Sequence, residues 1–397
     1  MLNVFLFFLL FMFVIAALVR DRFAVTVLYL FAGAYFAGRW WVLRGMRNIQ
    51  YHREFERHAF PDEVIKVQLV LKNTGWLPLV WLRVHDSLPI EISRSSSFKQ
   101  IISLGPHQNK EFEYELTPGK RGYYQVGPML ISSGDLLGLT DVSRREGEPE
   151  NMIVYPRVIS LDKISIPSRT PLGTLRYAIP TYEDPTRQIG KRDYSSGDSY
   201  RRVDWKATAV VGRLQVKLFE PSVDLQTAIF LNLNADEYHY RYRYDATELA
   251  ITTAASVASW VVRRKQQVGF WTNGIDQLSL DGKARPILPH KGHGHLMRIL
   301  EILARIKIGD VDPYSHFLNR NTVQLGWGTT LILISGSADQ GLFDQMIRSR
   351  RMGLEVVLVI CGAVSDFRAI HQRARHFGIK AYHFEREKDL DIWRRPV

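Results

Sequence analysis

Two apolar runs follow each other at the start of the chain. They cover Val4 to Val19 and Phe23 to Leu43, and only the polar residues 20–22 separate them. A helix needs about 20 apolar residues to cross a bilayer, so residues 1–47 are predicted to form a transmembrane helical hairpin. A cleaved signal peptide is disfavoured because a basic start and a small-residue cleavage site are missing. A buried core hairpin is disfavoured because so few polar residues interrupt the runs.

The flanking cations predict the orientation of this hairpin. The turn between the runs holds two arginines, whereas a larger group follows the second run, at Arg39, Arg44, Arg47, Arg53 and Arg57. Positive charge favours the cytoplasmic side. We therefore expect a multi-pass protein of the cell membrane, with two helices and the soluble bulk of the chain in the cytoplasm. The lone Cys361 agrees, because it cannot form an internal disulfide.

Short alternating runs separated by turn residues fill residues 48–155. Strands are predicted at Val64 to Lys72, Leu82 to Asp86, Lys110 to Leu116 and Gly122 to Ile131. Regularly spaced short strands with turns between them are typical of a small antiparallel β-sandwich.

The pattern changes in the second half of the chain. Residues 156–189 are rich in Pro, Ser, Thr and Arg and are predicted to be a linker. Within residues 190–397, Thr227 to Leu233 is a continuous apolar run typical of a buried parallel strand, and Asp245 to Lys265 is predicted to be a long helix. Further strands and helices then alternate, which predicts a doubly wound α/β domain. The strands are Val268 to Thr272, Thr330 to Ser335, Glu355 to Ile360 and Lys380 to Phe384, and the helices are Leu296 to Ile306, Gln340 to Arg351 and Asp366 to Phe377.

The net charge of +12 indicates an anionic partner. Nucleic acid, anionic lipid and an acidic protein surface would each attract such a chain. For a membrane-anchored chain, lipid headgroups explain the arginines beside the apolar runs most simply.

One segment between residues 192 and 209 follows no amphipathic period. It combines acids, bases, a Gly-Asp turn signal and a Trp, and we call it the signature segment: Arg192, Tyr194, Gly197, Asp198, Arg201, Arg202, Asp204, Trp205 and Lys206. It resembles the motif of the domain of unknown function 58 (DUF58) family. The resemblance continues through Gly212, Arg213 and Leu214 to Lys217 and Glu220, and the runs at 120–128 and 134–139 also resemble that family.

The signature segment has two interpretations. In the favoured one it is architectural or docks a partner: Gly197 and Asp198 form a turn, Trp205 fills a hydrophobic gap, and Arg202 pairs with Asp204 or Asp198. In the alternative it belongs to a hydrolase or transferase, because Asp198, Asp204 and Lys206 are suitable types for acid–base chemistry. The favoured interpretation is non-enzymatic, because no nucleophile with a matching base accompanies the segment.

The resemblance also implies a domain like that of von Willebrand factor type A. Such domains hold a divalent cation at the carboxyl edge of the sheet, and the matching positions here are Asn232, Asn234, Asp236, Ser335, Gly336 and Asp339. Asn232 and Gly336 stand where that family has Asp. Mg²⁺ relies on anionic oxygens, so we expect no cofactor and no bound metal, and we expect the polar groups to cap the following helices.

A run of alternating Tyr and Arg follows this edge. Tyr240, Arg241, Tyr242 and Arg243 are the residue types that dominate protein interfaces, and they are the predicted partner-binding residues. Stacking on nucleic-acid bases would use the same groups, but nucleic acid is not the expected partner.

Together these patterns predict a membrane-anchored, non-enzymatic interaction protein. It would dock a partner through the degenerate metal-site edge. Members of the family that the chain resembles are commonly encoded near MoxR-type AAA+ ATPases and transglutaminase-like membrane proteins. The resemblance therefore implies such an ATPase as the leading partner, with the lipid bilayer and other membrane proteins as further partners.

Overall fold

The structure is a computed structural model of the chain, which divides into two compact units. The first unit comprises residues 1–157 and 300–306, and the second comprises residues 158–299 and 307–397. The structure describes residues 7, 10–14, 18, 22–89, 92, 98–135, 138, 140–161, 183–221 and 226–393.

In its described residues, the first unit contains the long helix α1 (Arg22–Arg47) and ten strands. The strands form three small sheets, in the orders β1-β3-β6, β2-β10-β7 and β5-β4-β8-β9. All the pairs are antiparallel except β2 with β10. The strands are β1 (Ile49–Glu54), β2 (His58–Ala59), β3 (Ile65–Asn73), β4 (Leu79–Asp86), β5 (Lys99–Leu104), β6 (Asn109–Leu116), β7 (Gly122–Val126), β8 (Met129–Gly134), β9 (Asp141–Glu146) and β10 (Glu150–Val154).

Strand β3 shows how the sequence builds this unit. Its residues alternate strictly between the interior and the surface, so that Ile65, Val67, Leu69 and Leu71 are buried and the residues between them are not. Period-2 alternation places all the apolar side chains of a strand on one face. Leu69 and Leu71 join one apolar cluster, while Ile65 and Val67 join a second.

The predicted transmembrane hairpin is wrong. Within the part of the chain that the structure describes, no helix combines the length and the apolar character needed to cross a membrane. Arg39 and Arg44 interrupt the apolar character of helix α1. The helix buries Val42 and Met46 in the same apolar cluster as residues of strands β3 and β4. Most of the first apolar run, Val4 to Val19, lies outside the described residues.

The second unit is built on a mixed six-stranded sheet, whose order is β16-β14-β13-β18-β19-β20. Within this sheet five neighbouring strands are parallel: β14, β13, β18, β19 and β20. Strand β16 pairs antiparallel with β14 at one edge of the sheet. The strands are β13 (Gln226–Leu231), β14 (Gln267–Thr272), β16 (Ile287–His290), β18 (Thr330–Ser335), β19 (Glu355–Cys361) and β20 (Lys380–Phe384). Two further strands, β15 (Ile275–Asp276) and β17 (Ile306–Lys307), form a separate two-stranded sheet.

Helices alternate with these strands along the chain. The most buried of them is α3, in which 14 residues are buried and Ala and Thr supply much of the packing surface. Small side chains allow the backbone of a helix to lie close to the sheet on which it packs. The helices are α3 (Arg243–Arg263), α4 (His293–Arg305), α5 (Tyr314–Asn321), α6 (Gln340–Arg351) and α7 (Phe367–His376).

Before this sheet the chain forms a separate hairpin. Strand β11 (Glu183–Asp193) pairs antiparallel with β12 (Gln215–Pro221), and the short helix α2 (Trp205–Val211) lies between them. We call residues 190–218 the signature hairpin, because they include the whole signature segment. Residues 162–182 of the predicted linker lie outside the described residues.

The predicted fold class is therefore wrong as a whole. A membrane-spanning hairpin is not found among the described residues, and the strands lie in several small sheets besides the six-stranded one. In the first unit a third sheet forms because β10 pairs with β7 and with β2. The strands on either side of the signature segment pair as a hairpin.

A buried ion pair lies in the interior of the first unit. Arg53 and Asp86 have fully buried side chains, and Arg53 Nη1 lies 2.9 Å from Asp86 Oδ1. Arg53 also donates to Val126 O at 2.9 Å and pairs with Glu150 at 3.1 Å, while the Tyr114 hydroxyl donates to Asp86 at 2.5 Å. Because these groups satisfy one another, neither buried charge is left without a partner.

We predict that Asp86→Ala destabilises the protein strongly. Removing one partner of a buried pair leaves an uncompensated charge, which costs about 3–5 kcal/mol. Urea unfolding should show this loss of unfolding free energy. The matched control is Lys66→Ala, which breaks the pair with Glu113, where both side chains are more than half exposed, and should change stability by less than about 1 kcal/mol. Equal losses in the two variants would contradict the importance of the buried pair.

Candidate functional site

The backbone of the signature hairpin is fixed by its turns. Asp204 N donates to Gln215 O at 2.8 Å, which holds the start of α2 against β12. Helix α2 ends at Val211, and Gly212 is its C-cap residue. Gly212 has a left-handed φ of 74°, and its amide donates to Thr208 O. Only glycine adopts this conformation without a steric penalty, so the chain reverses here and returns as β12.

A bidentate ion pair links the two ends of the signature turn. Both terminal nitrogens of Arg192 lie 2.7 Å from the carboxylate oxygens of Asp198, and Ser195 N donates to Asp198 at 2.9 Å. The hydrogen bonds from Arg192 and then Ser195 hold the pKa of Asp198 below its ordinary value. Arg202 was the expected partner of this carboxylate, but the guanidinium that forms the bidentate pair belongs to Arg192.

The second acid of the segment caps helix α2. Asp204 Oδ1 accepts from Ala207 N at 3.1 Å, and Asp204 Oδ2 lies 2.9 Å from Lys191 Nζ. Lys191 and then Ala207 lower the pKa of Asp204. Asp198 and Asp204 thus make these contacts within the hairpin itself, as the architectural interpretation expects.

Apolar and aromatic side chains of the signature hairpin are exposed. Trp205 is 66% exposed, so it does not fill the hydrophobic gap that its sequence context suggests, and Tyr200 is 67% exposed. Tyr200 stacks on Tyr194, with ring centroids 5.4 Å apart. Val210, Val211 and Leu214 are also exposed. Together with the exposed cations Arg201 and Lys206, these side chains form what we call the hairpin surface.

The carboxyl edge of the six-stranded sheet is the second candidate site. Asn232 is fully buried there, and its amide group uses every hydrogen-bonding position. Nδ2 donates to Glu237 at 2.8 Å and to Ser335 Oγ at 2.9 Å, and Oδ1 accepts from Asn234 N and Asn273 Nδ2, each at 3.0 Å. No lone pair or proton of Asn232 remains for a metal or a ligand.

Glu237 is a residue of this edge that the sequence patterns did not single out. Its carboxylate accepts from Tyr314 N at 2.9 Å, from Asn232 and from Asn234. Burial raises the pKa of Glu237 above its ordinary value, and the nearby Asp339 adds to this, although the hydrogen bonds act in the opposite direction. No spacing in the sequence marks Glu237 as a member of this edge.

The remaining predicted metal-site positions do not converge. Asp339 caps helix α6 by accepting from Leu342 N at 2.8 Å, as the capping interpretation expects. Asp236 is exposed. A side chain at Gly336 would place its Cβ 2.3 Å from Tyr238 Cδ1, so no carboxylate fits there unless Tyr238 moves. In the residues that the structure describes, no group of three or more His, Cys, Asp or Glu side chains is arranged to hold a metal ion.

The Tyr/Arg run lies in a short 3₁₀ turn that leads into helix α3. Tyr240 is 85% exposed, and the Arg243 guanidinium lies 5.2 Å from the centre of its ring. Tyr242 and Arg241 are also exposed. We call these four residues, Tyr240 to Arg243, the edge surface.

Comparison with known proteins supports the resemblance but supplies no activity. Residues 190–325 match the family model described as "Protein of unknown function DUF58", so the resemblance to the DUF58 family is confirmed over this part of the chain. The "Uncharacterized protein YeaD" of Bacillus subtilis (strain 168) is 23% identical over 281 residues, which are 68% of this chain and 66% of YeaD. The chain thus spans just under two thirds of that relative.

Two of the similar solved structures each cover less than a third of the chain. The CARDB domain of a Pyrococcus furiosus protein is 13% identical, with a TM-score of 0.19, over 27% of this chain and 91% of that domain. A fragment of Escherichia coli alpha-2-macroglobulin is 15% identical, with a TM-score of 0.24, over 30% of this chain and 20% of that fragment. Likeness at these scores carries no argument about function. These comparisons show neither a von Willebrand type A domain nor an association with a MoxR-type ATPase.

We predict that Gly336→Ala is destabilising. The added methyl group would overlap the Tyr238 ring, and such overpacking costs about 1–3 kcal/mol. Thermal unfolding measures the change. Gly294→Ala is the control, because no atom lies within 4 Å of a Cβ at that helical position. It should leave stability unchanged or raise it, and an equal loss at Gly294 would show that the close approach at Gly336 is unimportant.

The raised pKa of Glu237 predicts a pH dependence of stability. A folded-state pKa above the unfolded value means that the folded state binds the proton more tightly. This contribution to stability is therefore present below the ordinary value of 4.5 and is lost as the pH rises through the folded pKa. Glu237→Gln cannot ionise, so the wild type should lose unfolding free energy relative to this variant as the pH rises. Denaturant unfolding across the pH range tests this, and parallel curves for the two proteins would contradict it.

Proposed function

We propose that this chain is a non-enzymatic interaction protein that docks a partner protein on its hairpin surface. The observation that carries the proposal is the exposure of Trp205 and Tyr200 at the tip of a hairpin held by the Arg192–Asp198 ion pair. Trp, Tyr and Arg are the residue types that dominate binding at protein interfaces. A surface that is ordered before binding loses less conformational entropy when the partner docks.

The chemistry of the hairpin surface indicates the kind of partner. Seven cations and three acids lie between residues 191 and 217. Two of the acids, Asp198 and Asp204, are paired with Arg192 and Lys191, whereas Arg201 and Lys206 extend into solvent. A complementary partner therefore presents an acidic surface around an apolar cleft that accepts the indole ring.

A MoxR-type AAA+ ATPase is the first partner to test, because the DUF58 resemblance implies it. The edge surface is a second docking candidate, since Tyr240 and Arg241 are exposed as an interface requires. The buried network behind it, centred on Asn232, would position the edge surface without itself contacting the partner. Asp198 and Asp204 are occupied by ion pairs with Arg192 and Lys191, which favours docking over the alternative of acid–base catalysis by the signature segment.

We predict that Trp205→Ala abolishes partner binding without unfolding the protein. Exposed substitutions usually change stability by less than about 0.5 kcal/mol, whereas loss of an aromatic anchor costs about 2 kcal/mol or more of binding. Calorimetric titration of the purified MoxR-type ATPase from the same organism into the full chain measures the affinity. The matched control is Trp327→Ala, because Trp327 is 56% exposed outside the hairpin surface.

Two further variants identify the surface and the partner. Arg201→Gln with Lys206→Gln should weaken binding more at low salt than at high salt, because screening already reduces the attraction in high salt. Arg241→Ala with Arg243→Ala tests the edge surface. Wild-type affinity of Trp205→Ala together with a loss in the edge variant would move docking to that surface. Binding to anionic vesicles or to single-stranded DNA, with none to the ATPase, would replace the protein partner by lipid or nucleic acid.

A further inference from the structure

Three histidines lie close together in the sequence where strand β16 leads into helix α4. His290 is the last residue of β16, His293 is the first residue of α4, and His295 lies in the first turn of that helix. His290 is paired across the sheet with Val268, the second residue of β14. The group therefore lies at the amino end of β14, whereas the positions at which the lost carboxylates exclude a metal lie at the carboxyl edge of the sheet.

The rings of His290 and His295 are neighbours. Their centroids are 5.6 Å apart and their planes are inclined by 43°. A metal ion lies about 2.1 Å from a ligating imidazole nitrogen, and hence about 3.2 Å from the centre of that ring. Two rings on one ion then have centres about 5.2 Å apart at the tetrahedral angle, and about 5.5 Å apart at a slightly wider angle. The observed separation therefore suits two imidazoles that share one ion.

Hydrogen bonds fix which nitrogen of each ring carries the proton. His290 Nδ1 lies 2.8 Å from Lys291 O, and His295 Nε2 lies 2.7 Å from Val268 O. A carbonyl oxygen only accepts, so both of these nitrogens donate. In the neutral ring the other nitrogen has a free lone pair, and this nitrogen is Nε2 in His290 and Nδ1 in His295. Histidines that bind a metal almost always donate their second N–H to a carbonyl, a carboxylate or water, and both rings have this arrangement.

The surroundings of the pair select the kind of ion. Burial lowers the pKa of His295 most, and the nearby charges of His290 and Arg298 lower it further, although the hydrogen bond to Val268 O acts in the opposite direction. A neutral imidazole is the form that binds a metal. No set of three His, Cys, Asp or Glu side chains surrounds an ion site in the described part of the chain, so no carboxylate joins the pair. Mg²⁺ and Ca²⁺ depend on such oxygen ligands, whereas imidazole suits Zn²⁺, Cu²⁺ and Ni²⁺.

We infer that His290 and His295 form a binding site for Zn²⁺ or a similar divalent transition metal ion. The ion binds to His290 Nε2 and to His295 Nδ1. Two protein ligands leave the other positions of a tetrahedral ion to water or to a group from another molecule. His293 is not a ligand, because its ring contacts neither of the other two among the described residues. The site does not depend on docking at the hairpin surface.

Calorimetric titration of Zn²⁺ into the full chain near neutral pH tests the inference. We expect saturable binding that Cu²⁺ displaces more effectively than Zn²⁺ itself, and that excess Mg²⁺ does not displace. His290→Gln and His295→Gln should each weaken the binding at least about tenfold, because each removes a ligand. His293→Gln is the matched control and should bind as wild type. The absence of saturable Zn²⁺ binding would overturn the inference, as would equal affinity in all three variants.

Nitrogen chemical shifts of the imidazole rings identify the ligating atoms. Zn²⁺ should shift the resonances of His290 Nε2 and His295 Nδ1 strongly. The protonated nitrogens should shift less, because they keep their hydrogen bonds to Lys291 O and Val268 O. This measurement uses the wild-type chain, so it decides the question even where a variant does not fold. Zn²⁺ binding that leaves both lone-pair nitrogens unchanged would show that the ion lies elsewhere and would overturn the inference.

Discussion

The carboxyl edge of the six-stranded sheet depends on the hydrogen bonds of one buried amide. Asn232 lies at the end of the central strand β13, and its side chain joins Ser335, which ends β18, to Asn273, which follows β14. A buried polar group must be fully hydrogen-bonded or it destabilises the fold. Glu237 completes the network and carries it to the start of helix α5 through Tyr314 N. The polar side chains at this edge are thus hydrogen-bonded to one another, in the place where the sequence resemblance implies a cation-binding site.

This arrangement explains why the sequence identified the position but not the chemistry. Asn232 and Gly336 showed in the sequence that two expected carboxylates are replaced at this edge. Glu237, however, restores one carboxylate from a different backbone position, and no spacing rule relates it to Asn232. Likewise, the close approach of Tyr238 to Gly336 depends on tertiary packing, and a single sequence does not record which side chain occupies the space beside a glycine.

In the fold, too, some features follow from the sequence pattern and others depend on tertiary packing. Strands that are buried on both faces appear as continuous apolar runs, so the predicted strand from Thr330 to Ser335 coincides with β18, whose six residues are all buried. The apolar run from Phe23 to Leu43 misled for a physical reason. The helix that contains this run buries Val42 and Met46 against the strands of the first unit, and apolar content alone does not distinguish a protein surface from lipid. The predicted strand from Gly122 to Ile131 is divided in two at Gly127 and Pro128.

The exposure of Trp205 could not be predicted from the local sequence pattern. A Trp next to charged residues suggests an anchor in a core, and in the signature hairpin the anchoring is instead performed by charges, through Arg192 with Asp198 and Lys191 with Asp204. These pairs occupy the acids and leave Trp205, Tyr200 and Arg201 facing solvent. A hairpin that used its aromatic residues for its own stability would have none to present. Stabilisation by ion pairs and exposure of the aromatic side chains are therefore parts of one arrangement.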